Sequence, residues 1–130
     1  MQLQRKILPV VLFLMVFFKV IILASLVIIP NGIYYFSRKK KSDNKTVAAK
    51  VKVVNGFWTL LKGSNLGIHE DIGGSNKSRE LRAQLPMDAQ GILLDDFSLG
   101  ECSPSFAGNV VLNQACDGWM EWKNVDGKPI

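Results

Sequence analysis

The stretch Val47-Ala48-Ala49-Lys50-Val51-Lys52-Val53-Val54-Asn55-Gly56-Phe57-Trp58-Thr59-Leu60-Leu61 carries two signals at once. Val47, Ala49, Val51 and Val53 fall on one side of an extended chain, and Lys50 and Lys52 fall on the other, the period of a half-buried strand. Asn55-Gly56 then separates two β-prone runs. Both central residues of a type I′ turn need positive φ, which Asn and Gly tolerate best, so this is a hairpin signal. Residues 47–54 and 57–62 are expected to pair antiparallel.

Working outward toward the C-terminus, Gly63-Ser64-Asn65 ends the second strand and a loop runs from Ile68 to Asn76 through Gly73-Gly74. A helix follows, capped by Asn76 or Ser78, with Leu81 and Leu85 on one face and Pro86 as its stop. Gly91-Ile92-Leu93-Leu94 reads as a short apolar strand. Ser103-Pro104-Ser105 opens a second helix: the Ser103 hydroxyl can accept from an unpaired backbone N–H, and Pro104 fits the first helical position. Phe106 with Val110, and Ala107 with Val111, form its apolar rows. Gly118 to Lys123 reads as a strand, closed by a turn through Asp126-Gly127 and a short final strand. The expected domain, residues 47–130, is α+β: two β-hairpins, a central strand and two helices.

Working outward toward the N-terminus, the character of the chain changes near residue 41. Residues 1–6 form a basic flank, and residues 7–36 are almost entirely apolar. Val10 to Ile29 supplies 20 residues, the length of a transmembrane helix. Lys19 interrupts the run at a cost of roughly 2.5–3.5 kcal/mol, against about −0.3 to −0.6 for each Leu, Ile, Phe or Val. The sum favours insertion. A span shifted to Val20–Phe36 would bring Lys19 to one interface and Tyr34 and Tyr35 to the other. A single-pass membrane protein is therefore expected, with residues 37–46 as a basic and polar linker. Arg38 to Lys41 outnumber Arg5 and Lys6, which favours a cytoplasmic C-terminal domain. A cleaved signal peptide, a buried helix and a misassigned gene start are the competing readings of the same run.

The charge follows this division. Residues 43–130 hold nine Lys and Arg against eleven Asp and Glu, a net of −2, while the whole chain is +5. The basic balance thus belongs to the membrane flank and does not by itself attract nucleic acid. Two cysteines, Cys102 and Cys116, and one histidine, His69, are too few and too far apart for a zinc site, so neither metal nor cofactor is expected. Free thiols are expected in a reducing cytoplasm and a pair if the domain is exported. Cys102 precedes a helix start, a position that can lower a thiol pKa. No catalytic constellation is legible and no small-molecule substrate is inferred; the chain reads as a non-enzyme.

The segments Gly56-Phe57-Trp58-Thr59-Leu60-Leu61-Lys62-Gly63-Ser64, Leu81-Arg82-Ala83-Gln84-Leu85, Ser103-Pro104-Ser105 and Gly118-Trp119-Met120-Glu121-Trp122 stand in an order that resembles domain-of-unknown-function family 4357. Members carry a Phe-x-Val-Leu-x-Gly-Ser strand, a Ser-Pro-Ser helix start and a closing Asn-Gly-Trp-x-x-Trp, and the resemblance spans residues 45–130. This chain departs from the pattern at Phe106-Ala107-Gly108, at Asp117 and between Leu94 and Cys102. The family occurs as a C-terminal module of GIY-YIG-type nucleases and restriction-associated proteins. The resemblance implies a nucleic-acid-associated accessory role, modified DNA included, and supplies no reaction.

Candidate nucleic-acid-binding residues follow, each with a plainer alternative. Lys62, Gly63 and Ser64 can present a cation and backbone N–H groups to phosphate, or simply end a strand. Ser103 and Ser105 open a helix whose N-terminus favours anions, or serve as caps. Trp119 and Trp122 would point to opposite faces of a strand, one free to stack on a base, or both would lie in the core. Arg82 belongs with Lys50, Lys52, Lys62, Arg79 and Lys123 to a basic set that the fold must bring together if it is to act. Two other readings share the sequence: a membrane-tethered domain that binds another protein, and a detached remnant of a larger nuclease or restriction protein.

Overall fold

In the computed structural model, which describes residues 29–130, the sheet starts earlier than the sequence suggests. Strand β1, Gly32–Lys39, pairs antiparallel with β2, Thr46–Val54. Its residues alternate: Tyr34 and Phe36 are buried, Tyr35 and Ser37 exposed. This corrects two expected boundaries, since residues 32–36 were assigned to the membrane helix and residues 37–39 to the linker. Pro30-Asn31-Gly32 breaks the apolar run just before β1, and the apolar Ile33-Tyr34-Tyr35-Phe36 that follows masks that break. Among the described residues no helix is long and apolar enough to cross a membrane. The remainder of the expected span, residues 7–28, lies outside them.

Strand β2 joins β3, Phe57–Leu60, through Asn55 (φ 52°) and Gly56 (φ 84°), the left-handed pair that the hairpin signal demands. Strand β4, Phe97–Glu101, pairs with β3, giving an antiparallel sheet of order β1-β2-β3-β4. The sheet is thus a four-stranded meander and not two hairpins around a central strand. Gly91–Leu94, expected as a strand, makes only isolated bridges, Asn65 to Ile92 and Met87 to Leu93. Asp88 explains this: its carboxylate accepts from the Gln90 and Ile92 N–H groups, both at 2.9 Å, and holds the segment in a turn.

Three helices lie on the inner side: α1, Asn76–Arg82, α2, Pro104–Leu112, and α3, Gly118–Glu121. Helix α1 packs on α2, while α2 packs on β2 and α3 on β1. Ser75, one residue before Asn76 and three before Ser78, the two expected caps, accepts from Ser78 N and begins α1. Ser103 caps α2 as its sequence indicates, accepting from Phe106 N at 3.0 Å. The segment 118–121, expected to be a strand, is a single helical turn. Asp117 accepts from Trp119 N at 3.2 Å, and Trp122 N donates to Gly118 O at 3.1 Å. The Asp117 cap and the close approach of Gly118 to α2 override the aromatic β-propensity. After it, the turn through Asp126-Gly127 lets Lys123 bridge Pro129, a contact too short to count as a hairpin strand.

The core lies between the sheet and these helices. Trp122 sits edge-on to Trp58 at 5.4 Å and tilted against Phe36 at 5.0 Å, and Tyr34 stacks on Trp58 at 6.4 Å. Each such pair adds roughly 0.5–1.5 kcal/mol beyond the burial of its surface. Val47, Val51 and Val53 of β2 meet Ala107, Val110 and Val111 of α2 in the same cluster, all fully buried.

Candidate nucleic-acid interface

The other face of the sheet is uncovered by any of the described residues. Strands β1, β2 and β3 contain Arg38, Lys39, Lys50 and Lys52 and no Asp or Glu. Inner positions take the Val, Trp and Leu side chains, so the lysines of β2 fall outward by the strand period alone. Tyr35 lies opposite Lys50 on one side. On the other, Tyr35 and Lys123 exchange backbone hydrogen bonds, both 2.8 Å. Residues directly opposite in antiparallel pairs present their side chains to one face. Lys123, Tyr35 and Lys50 therefore form a row across three chains, with Lys52 one step along β2, opposite Ile33 and Thr59. Tyr35 is 41% exposed.

Lys62-Gly63-Ser64 adjoins this row. Strand β3 leaves the ladder at Leu61 and rejoins it where Asn65 pairs with Ala48. Gly63 (φ 91°) makes that bulge, and Ser64 fills it, accepting from Lys50 N at 3.0 Å. The Lys62 side chain is exposed, while Lys62 N donates to Asp96 Oδ1 and Gly63 N to Leu93 O, each at 2.8 Å. Lys62 is thus available as a cation, but the Lys62 and Gly63 N–H groups are already engaged. Between the bulge and Tyr35 lies a shallow depression of about 360 Å³, walled by Ser37, Ala48, Lys50 and Lys62.

The other candidate residues are elsewhere and their polar groups are spent. Ser105 Oγ accepts from Gly118 N at 3.1 Å, and the Trp122 indole donates to Pro104 O at 3.0 Å. A Cβ on Gly118 would stand 2.1 Å from Pro104 O, so only glycine permits this approach. The Ser-Pro-Ser and Gly-Trp segments, far apart in sequence, lock the starts of α2 and α3 together. Trp122 is fully buried and offers no stacking face. Trp119 is half-buried at a groove of about 830 Å³ shared with Trp58, Pro104 and Asn55.

Arg82 is a structural fork. Its guanidinium donates to Val110 O and, at 2.5 Å, to Gly67 O, and its burial lowers its pKa. Lys45 donates to Leu66 O at 2.6 Å and Gln90 O at 2.5 Å. Lys40, fully buried, donates to His69 O and pairs with Asp71 at 3.0 Å. Arg79 pairs with Glu70, and Arg38 with Glu121 at 2.9 Å. These cations hold the 64–71 loop and the helices. Of the basic set, Lys50, Lys52, Lys62 and Lys123 converge on the open face; Arg79 and Arg82 do not.

Both thiols are held in the protonated form. Burial pushes both Cys102 and Cys116 up to about 12, the opposite of the lowering expected at a helix start, and neither is in a disulfide. Among the described residues no group of three or more His, Cys, Asp or Glu side chains converges as a metal site would.

Tyr35 and Lys39 also lie on the open face, and sequence reasoning missed them. The residue types from Tyr34 to Lys39 do not alternate; the available signal is the Pro30-Asn31-Gly32 turn sequence just before β-prone Ile33 to Phe36. Comparison of the chain with family models, with curated proteins and with solved structures finds no match. The resemblance to family 4357 therefore rests on motif order alone.

Proposed function

We propose that this chain is a membrane-anchored, non-enzymatic accessory module that binds nucleic acid through the open face of its sheet. The observation that carries the reading is the row Lys123–Tyr35–Lys50, with Lys52 and Lys62 beside it, at strands β1 and β2, which hold no acid. The charge supports it as well. Including Arg38 to Lys41 in the folded unit adds four positive charges to the −2 of residues 43–130 and makes the balance +2. Ten of the eleven acids lie in loops and helices, and Glu101 of β4 stands opposite Phe57 at the far side of the same face, so the positive charge is concentrated over β1 and β2.

The test is binding of the full chain, in detergent, to fluorescent oligonucleotides at two salt concentrations. Phosphate contacts release counterions, so affinity should fall with log salt at a slope of roughly −0.7 per phosphate neutralised on a single strand. Lys50→Glu with Lys52→Glu should cost at least tenfold in affinity while leaving thermal unfolding unchanged. Absence of binding by a folded protein at low salt refutes the reading. In that event the groove beside Trp58 and Trp119, where the Trp58 indole N–H has no partner among the described residues, favours the second reading, a protein-binding domain.

A further inference from the structure

We infer that the nucleic acid taken by this face is single-stranded, with one unstacked base laid on the Tyr35 ring; this rests on the nucleic-acid reading above. Among the described residues the face is a pleated surface without a protruding helix or ribbon. A duplex is read in sequence by an element that enters a major groove about 12 Å wide, and nothing on β1 to β3 stands out to do so. In a duplex the flat faces of the bases are also hidden in the stack. An aromatic ring in the middle of a basic surface can be used only by a base that has left it.

The surroundings of Tyr35 suit such a base. Its neighbours along β1 on this face are Ile33 and Ser37, and Ser37 pairs across to Ala48. The small Ser37 and Ala48 side chains leave the depression beside the ring open. Neighbouring strands are about 4.8 Å apart, so the Lys50 and Lys123 backbones flank Tyr35 by one strand on either side. Their flexible ammonium groups can then meet phosphates on both sides of the stacked base. Lys62, across the depression, extends the cationic track, and the ring supplies contact without reading base identity. The expected preference is for strandedness, not sequence.

The test uses the full chain in neutral detergent or zwitterionic nanodiscs and compares a labelled oligo-dT, an oligo-U and a hairpin duplex of matched length. The single strands should bind at least tenfold tighter than the duplex. Tyr35→Ala should lower single-strand affinity about tenfold and leave the duplex value alone, and Tyr35→Phe should retain binding, since the ring and not the hydroxyl is used. Circular dichroism of both variants checks that they fold. Equal affinity for duplex and single strand, or an unaffected Tyr35→Ala, overturns this inference and leaves the nucleic-acid reading standing. Binding of neither single strand nor duplex at low salt, by a folded protein, overturns both.

Discussion

A cation is a functional signal only if its charge is free. Arg82 lies within a segment that resembles a nucleic-acid-associated family, yet its guanidinium joins the carbonyls of Gly67 and Val110. Hydrogen bonds from a charged group contribute roughly 1.5–3 kcal/mol each, and their removal leaves those carbonyls without a donor. Arg82→Ala should therefore lower stability by about 2–4 kcal/mol and leave oligonucleotide affinity within twofold at temperatures where the variant is folded. Parallel thermal melts and anisotropy titrations check this. A selective loss of binding would return Arg82 to the interface. Trp119 and Trp122 teach the same point: similar residues three positions apart, one at a groove and the other sealed beneath the Pro104 carbonyl.

Among the elements, the β2–β3 hairpin was the most legible, because its turn and its alternation are both local. Gly56 sits at φ 84° with ordinary space around its Cβ position, so its demand is conformational and not steric. Gly56→Ala should cost about 1–2 kcal/mol, the left-handed penalty for an L-residue. A melt unchanged within error would show that the turn relaxes to another type. β1 is hidden in the sequence because Tyr34-Tyr35-Phe36 do not alternate and their apolar content outweighs the Pro30-Asn31-Gly32 break before them. The 118–121 turn was misassigned because a cap and one glycine outweigh two tryptophans. β4 was missed because Phe97-Ser98-Leu99-Gly100-Glu101 is short, polar and interrupted by a glycine, and gains its partner only from β3.

At the scale of the molecule, two layers separate two kinds of basic residue. Lys40, Lys45 and Arg82 turn inward and hold backbone carbonyls of the long connection between β3 and α1. Lys50, Lys52, Lys62 and Lys123 remain on or beside the open face. The Lys40–Asp71 pair closes the inward set, and its hydrogen bond holds the Asp71 carboxyl below its ordinary range, with Ser42 assisting. A carboxyl depressed in the folded state contributes stability that is fully present above its unfolded value of about 3.9 and is lost as pH falls through the lower folded value. Acidification below about pH 4 should therefore weaken the fold. Asp71→Asn should be less stable at neutral pH and should lose part of that acid dependence. Melts at pH 7 and pH 3 decide; equal acid sensitivity in both proteins would assign the effect to other carboxylates.

What the sequence determined by itself is what neighbours along the chain can decide. The α+β class follows from the alternation of residues 47–54, the Asn55-Gly56 turn and the Ser103-Pro104 helix start, each a matter of backbone preference within a few residues. Lys50 and Lys52 could be placed outward for the same reason. Tertiary structure alone decided which charges are free and which residues meet. Lys40 is buried because Asp71 and the His69 carbonyl lie where β1 ends. Ser105 and Trp122 are occupied because Gly118 lets two distant helix starts touch. The row Lys123–Tyr35–Lys50 exists only because three chain segments come into register, and register between distant segments is set by packing the whole core at once.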